Sequence, residues 1–250
     1  MSVDELSIGL EKPPTRLALD GAALFLDLDG TLAPIAERPE DVRPDPRRSD
    51  LLQKLNARLK GRLAVVSGRS LSEIDHILEN RVTCVAAIHG LVRRDSHGVI
   101  GEAAPHPGLV PARIALREFA DRDTRLLIED KALSLTMHYR QAPDRASEVI
   151  ELAERLATVT GLTLQPGDMV VELRTPGASK GDSIRAFMTE EPFRGAKPVF
   201  LGDDLTDEHG FFAVRQLGGY GVLVGPQRKT TAIYRMEGVE AALTWLEAAE

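Results

Sequence analysis

Ala22-Ala-Leu-Phe-Leu-Asp27-Leu-Asp29-Gly30-Thr31 places two acidic residues directly after an apolar run. A short, continuous apolar run reads as a strand buried on both faces, which is the signature of a parallel sheet covered by helices. Residues two apart on a strand project to the same side, and open α/β sheets bind ligands beyond the carboxyl ends of their strands. Two carboxylates in one such place repel each other, so the pattern is costly unless a cation or a reaction needs both. Gly30 lets the chain leave the strand sharply. A turn closed by an Asx side chain would account for Asp29-Gly30 but not for Asp27.

Outward from this stretch, Leu63 to Ser67, Val82 to Ile88, Pro198 to Leu201 and Tyr220 to Val224 read as further buried strands. Helical patterns lie between them. Leu51, Leu52, Leu55 and Leu59 form one stripe, opened near Ser49 or Asp50 and stopped at Gly61. Ser70 and Glu73 have the spacing of a capping box for a helix carrying Leu71, Ile74, Ile77 and Leu78. Strands alternating with helices imply a doubly wound parallel sheet. From about Pro111 to Leu173 the order changes to helix, two strands, helix, two strands, as expected of an inserted α+β domain. Asp144 can cap its second helix, which ends at Gly161. In its strands Leu133, Leu135, Met137 and Tyr139 share one face and leave Ser134, Thr136 and His138 on the other; Met169, Val171 and Leu173 likewise oppose Glu172 and Arg174. The expected division is a loose tail over 1–18, a core from 19–108 and 175–250, and the insert at 109–174.

Composition narrows the function classes. The 250 residues are 43% hydrophobic and 28% charged, with a formal net charge of −7, ordinary for a globular chain and unfavourable for nonspecific binding to nucleic acid or an anionic membrane. No apolar stretch approaches the length of a membrane span, and the mixed, acidic first residues do not resemble a secretory signal. The expected location is cytoplasmic and the expected partner a small molecule; a monomer is the default assembly. Cys84 has no partner cysteine and sits in an apolar run, so it reads as a buried thiol.

Three more segments carry chemistry. Gly202-Asp203-Asp204 follows an apolar run as Asp27 does, which suits Asp203 to a hard cation such as Mg2+; Asp207 and Glu208 beyond it read as an exposed acidic helix start. Ser67-Gly68-Arg69 ends a strand and opens a helix, a place where a hydroxyl and backbone N–H groups suit a phosphate. Lys180, just before a helical stripe, gains interest only from the company of the others.

Taken in order, Asp27/Asp29, Ser67, Lys180 and Asp203/Asp204 resemble the four motifs of the haloacid dehalogenase superfamily. Within it, Leu26-Asp-Leu-Asp-Gly-Thr-Leu-Ala-Pro-Ile35, Val65-Val-Ser-Gly-Arg-Ser70, Ile128-Glu-Asp-Lys131 with Met137-His-Tyr-Arg140, Met169-Val-Val-Glu-Leu-Arg174 with Ser179-Lys-Gly-Asp182, and Leu201-Gly-Asp-Asp-Leu-Thr-Asp-Glu208 are similar to trehalose-6-phosphate phosphatases, over about residues 20–246. That resemblance implies a haloacid-dehalogenase-type α/β core with an α+β cap, and the final, phosphate-releasing step of trehalose biosynthesis. It implies Asp27 as nucleophile, Asp29 as general acid and base, and Mg2+ held by Asp27, Asp203 and the Asp29 carbonyl. Ser67, Gly68, Arg69 and Lys180 would meet the phosphate, and Asp204 would orient Lys180 or a metal-bound water. Glu129, Lys131 and Glu172 would meet the sugar. The sequence departs from many bacterial relatives at Val92, where an acidic residue is common. A related phosphatase of mannosyl- or glucosyl-glycerate phosphate, and a catalytically silent sugar-phosphate-binding domain, are the alternatives.

Overall fold

In a computed structural model, which describes residues 10–167 and 169–249, the opening apolar run becomes β1 (Ala22–Leu26), buried at every position. The chain continues through α1 (Pro46–Arg58), β2 (Leu63–Val66), α2 (Leu71–Ile77), β3 (Cys84–Ala87), β4 (Val92–Arg94) and β5 (Ile100–Glu102). After α3 (Leu109–Ala120), β6 (Leu127–Asp130), β7 (Ser134–His138), α4 (Ala146–Thr160), β8 (Thr163–Gly167) and β9 (Val170–Arg174), it returns with α5 (Lys180–Met188) and β10 (Lys197–Gly202). It ends on α6 (Glu208–Gln216), β11 (Tyr220–Val224), β12 (Tyr234–Met236) and α7 (Val239–Glu247). The described residues divide into two compact units, the second running from Glu102 to Gly177 and the first holding the rest.

The first unit is built on a sheet of order β12-β11-β10-β1-β2-β3-β4-β5. From β12 to β3 all neighbours are parallel, and β4 runs antiparallel to β3. β1 is central: the chain leaves it towards β2 and later returns to its other side at β10. That reversal is the topological switch point where open α/β sheets place ligands. One apolar cluster packs Phe25, Phe187, Phe193, Phe200 and Phe211 with Cys84, all buried. Burial pushes the Cys84 thiol up to about 12, so it stays protonated and inert at neutral pH.

In the second unit the antiparallel sheet has the order β6-β7-β9-β8. Leu135, Met137 and Tyr139 from β7 and its end join Val171 and Leu173 of β9, Leu109, Ala112 and Leu116 of α3, and Val149, Leu152, Ala153 and Leu156 of α4 in one core.

Several local expectations change. The first helix opens at Asp45, whose side chain accepts from the Arg48 amide, with Pro46 in its first turn, rather than at Ser49 or Asp50. The α2 capping box forms as spaced. Asp144 does not cap α4, whose N-cap is Arg145 without a side-chain bond; its carboxylate instead accepts from Arg125 at 2.9 and 3.0 Å. Part of the expected tail, residues 1–9, lies outside the described residues. The remainder is tied down: Trp245 Nε1 donates to the Pro14 carbonyl at 2.6 Å, the Arg235 amide to the Glu11 carbonyl at 2.9 Å, and Leu17 is buried.

Candidate active site

Three adjacent parallel strands deliver the acidic and hydroxyl groups. Leu26 of β1 pairs with Leu201 of β10, and the Asp27 amide donates to the Leu201 carbonyl at 2.9 Å, so Asp27 leaves its strand beside the exit of β10 that carries Asp203. On the other flank Ser67 directly follows β2, and its amide donates to the Ala86 carbonyl at 2.9 Å. Lys180 comes from the first turn of α5, opened by Ser179, whose side chain forms a reciprocal capping box with Asp182.

Lys180 is 3% exposed and its ammonium donates to Asp27 Oδ1 at 2.9 Å and to Asp207 Oδ1 at 2.7 Å. Burial works to lower the lysine's pKa, but the Asp207 and Asp27 carboxylates outweigh it and hold the ammonium well above its ordinary range. Asp207 is the partner that sequence reasoning misplaced. It is fully buried, not part of an exposed acidic start, and its Oδ2 accepts from the amides of Asp203 and Asp204 at 2.9 and 3.0 Å. It therefore fixes both Lys180 and the Asp203 loop. Asp204 does not reach Lys180: its Oδ1 accepts from the Leu205 amide at 2.6 Å and caps a short turn. The signal in the sequence was the acid four residues after Asp203, a spacing that brings a side chain back over the turn it starts.

Ligand atoms of Asp27, Asp203 and Asp207 lie within 4.8 Å of one another, the one such acidic cluster among the described residues. The oxygens of Asp207 are already used by Lys180 and two amides, which leaves Asp27 and Asp203 as the carboxylates able to ligate a cation. Burial, then the neighbouring acids, push the carboxyls of Asp27 and Asp203 well above the usual carboxylate range. Such crowding is relieved by a hard divalent cation, and an oxygen-only donor set suits one.

Both carboxyls bind protons more tightly in the folded protein than in the unfolded chain. The contribution of these two carboxyls to stability without metal is therefore fully present below the ordinary carboxylate range and is lost as pH rises through the raised folded values. Chelator-treated protein should melt at steadily lower temperature between about pH 5 and about pH 9, while excess divalent cation should flatten the trend. The acids held below their usual range, such as Asp182 and Glu129, act only at lower pH. Metal-free protein that grew more stable with rising pH would contradict the cluster.

Gly30 makes this approach feasible. It has φ 75°, and a Cβ there would stand 2.0 Å from Asp203 Oδ2. Gly30→Ala should therefore weaken divalent-cation affinity at least about tenfold, because Asp203 must move, and lower melting temperature modestly. Calorimetric titration of the variant with metal checks it.

On the β2 side, Ser67 is buried and its Oγ accepts from the Arg69 amide at 3.3 Å. A Cβ at Gly68 would stand 2.5 Å from His89 Nε2, so a larger residue there would displace the imidazole. His89 and the preceding Ile88 both adopt positive φ, 55° and 46°. For a β-branched residue that is a strained conformation of the kind found at functional turns. Arg69 is not aimed at open space: both oxygens of Asp29 accept from its guanidinium. Val92 is buried in β4 opposite Ala87. Arg228, unremarked in the sequence, braces the acidic loop, donating to the Asp204 carbonyl at 2.7 Å and pairing with Glu208.

The second unit holds Glu129, Lys131 and Glu172. Glu129 Oε1 lies 3.2 Å from Lys131 Nζ, and its Oε2 is 3.1 Å from His138 Nε2. Burial alone would raise the Glu129 pKa, but the His138 bond and the Lys131 charge more than offset it and hold it low. The register aligns Glu129, Thr136, Glu172 and Gln165 in one row across the four strands.

Comparison with known proteins agrees on one family. The trehalose-phosphatase family model matches residues 25–240. The chain is 38% identical over 231 residues to the trehalose-6-phosphate phosphatase of Escherichia coli (strain K12), covering 90% of this chain and 85% of that protein. It is 39% identical over 210 residues to a probable trehalose-phosphate phosphatase of Sinorhizobium fredii, covering 83% of this chain and 79% of that one. Among solved structures it resembles a trehalose-6-phosphate phosphatase related protein, with TM-score 0.74, 28% identity and coverage of 90% of this chain and 95% of that one. The C-terminal domain of the Candida albicans trehalose-6-phosphate phosphatase shares the fold, with TM-score 0.84 at 21% identity, covering 95% of this chain and 97% of that one. Among the described residues no helix is long and apolar enough to cross a membrane.

Proposed function

The chain belongs to the trehalose-phosphatase family, and from that premise we propose that it hydrolyses trehalose 6-phosphate to trehalose and phosphate through a phosphoryl group carried on Asp27. The observation that carries the mechanism is the buried Lys180 ammonium bridging Asp27 and Asp207 beside Asp203. It holds one carboxylate at a strand end, next to a positive charge and a cation site, as an attack on an anionic phosphoester requires.

In the first step an Asp27 oxygen forms a bond to phosphorus while the bond from phosphorus to the sugar oxygen breaks. The leaving oxygen takes a proton from Asp29. In the second step water attacks the same phosphorus, Asp29 takes its proton back, and the bond to Asp27 breaks to release phosphate. Ser67, the Gly68 amide and Lys180 are assigned to the non-bridging oxygens, where fixed donors act on charge as it redistributes. Mg2+, assigned to Asp27, Asp203 and the Asp29 carbonyl, offsets repulsion between nucleophile and phosphate when bound. We assign Glu129, Lys131 and Glu172 to the sugar hydroxyls. Their support is the row that Glu129 shares with Glu172 and the pairing of Glu129 with Lys131 in the second unit; a site built to hydrogen-bond hydroxyls rejects ligands that lack them.

The test is a phosphate-release panel with Mg2+. Trehalose 6-phosphate should be cleaved about 10³-fold or more faster in kcat/KM than glucose 6-phosphate or nucleoside monophosphates. Comparable rates, or a preference for a glycosylglycerate phosphate, would overturn the substrate assignment while leaving the core chemistry standing.

A further inference from the structure

We propose that Arg69 is the positioning residue of Asp29, setting the resting place of the acid–base carboxylate, rather than a contact to the substrate phosphate. Arg69 Nε donates to Asp29 Oδ2 at 2.7 Å and Nη2 to Asp29 Oδ1 at 2.8 Å, a two-point fork in which both carboxylate oxygens are taken. The guanidinium is anchored from behind. Nη1 donates to the Pro39 carbonyl at 2.9 Å and lies 3.5 Å from Glu73 Oε1. Glu73 is itself fixed by the α2 capping box, accepting from the Ser70 amide at 2.9 Å. The Arg69 side chain is 8% exposed, whereas that of Asp29 is 35% exposed.

The asymmetry assigns the roles. A planar, two-point guanidinium–carboxylate pair is directional as well as strong, and a buried, multiply anchored arginine keeps its place. The half-exposed aspartate is the partner able to turn. At least one Asp29 oxygen must leave the fork before it can hand a proton to the leaving sugar oxygen, and the fork provides the position to which the carboxylate returns. The link crosses from the exit of β2 to the exit of β1, so the turn that carries Ser67 and Gly68 also governs the acid–base group. Any phosphate that orders that turn is thereby coupled to Asp29. The inference rests on Asp29 serving as the acid and base of a phosphomonoesterase.

The experiment compares wild type, Arg69→Met, Arg69→Lys, Asp29→Asn and the Asp29→Asn/Arg69→Met double variant. It measures kcat, KM and competitive inhibition by inorganic phosphate, on trehalose 6-phosphate and on p-nitrophenyl phosphate. Arg69→Met should lower kcat on trehalose 6-phosphate about 10- to 100-fold, with phosphate inhibition unchanged within about twofold. In the Asp29→Asn background the same change should add no more than about twofold, since two residues acting as one unit are non-additive. Arg69→Lys, which keeps the charge but not the fork, should recover only part of the rate. If Arg69→Met proves poorly folded by circular dichroism, Arg69→Lys against Asp29→Asn supplies the same comparison. Phosphate inhibition weakened tenfold or more, or losses that multiply in the double variant, would overturn the proposal. Wild type active only on p-nitrophenyl phosphate would sink the substrate assignment and leave this comparison intact, while wild type inert on both would remove the role of Asp29 and this inference with it.

Discussion

Asp27→Asn should abolish turnover, with kcat falling about 10⁴-fold or more, while the protein stays folded. The amide is nearly the same size as the carboxyl but is a poor nucleophile and cannot carry a phosphoryl group through two steps. The fold should tolerate it because Lys180 retains Asp207 at 2.7 Å. Removing one acid from a cluster whose carboxyls are pushed up by burial and mutual repulsion should leave metal-free melting temperature unchanged or raised. Residual activity of a few per cent, after exclusion of wild-type contamination, would mean that another group attacks phosphorus.

Lys180→Met should damage both stability and rate. Wild-type Lys180 neutralises Asp27 and Asp207, and all three side chains are at least nine-tenths buried. Stripping the cation from buried acids leaves charge without a partner, at a cost of about 3–5 kcal/mol. Loss of a fixed donor to the phosphoryl oxygens should separately lower kcat by about 10²–10³-fold. Urea unfolding and steady-state kinetics read the two effects independently. Asp207→Asn should resemble it in direction, since Asp207 also holds the Asp203 and Asp204 amides. A Lys180→Met enzyme of unaltered stability and activity would remove the bridge from the mechanism.

The positions of Asp27, Ser67 and Asp203 were legible because each ends an apolar run, and parallel strands bring their ends to one edge of the sheet. Lys180 was legible only in company, since a lone lysine before a helix has no local mark. What the sequence hid were contacts made by tertiary packing. Asp207 sits among acids that look solvated, and only the short turn at Leu205–Asp207 tucks it inward. Arg69 reaches Asp29 across 40 residues, a pairing with no periodicity to reveal it. Asp144 has a capping residue's chemistry, yet Arg125 claims its carboxylate. The strands β4, β5 and β12 were not read because Val92–Arg94, Ile100–Glu102 and Tyr234–Met236 are short and mixed in polarity, as strands towards a sheet's margins often are.

The phosphoryl group on Asp27 can be sought directly. Enzyme with Mg2+ is mixed with trehalose 6-phosphate labelled in its phosphate, quenched in acid within the first turnover, and the denatured protein is digested. The mechanism predicts label bound to the peptide containing Asp27, absent from Asp27→Asn and absent when a chelator precedes the substrate. Free phosphate released in that first turnover with no label on the protein, or label mapped to another residue, would contradict it.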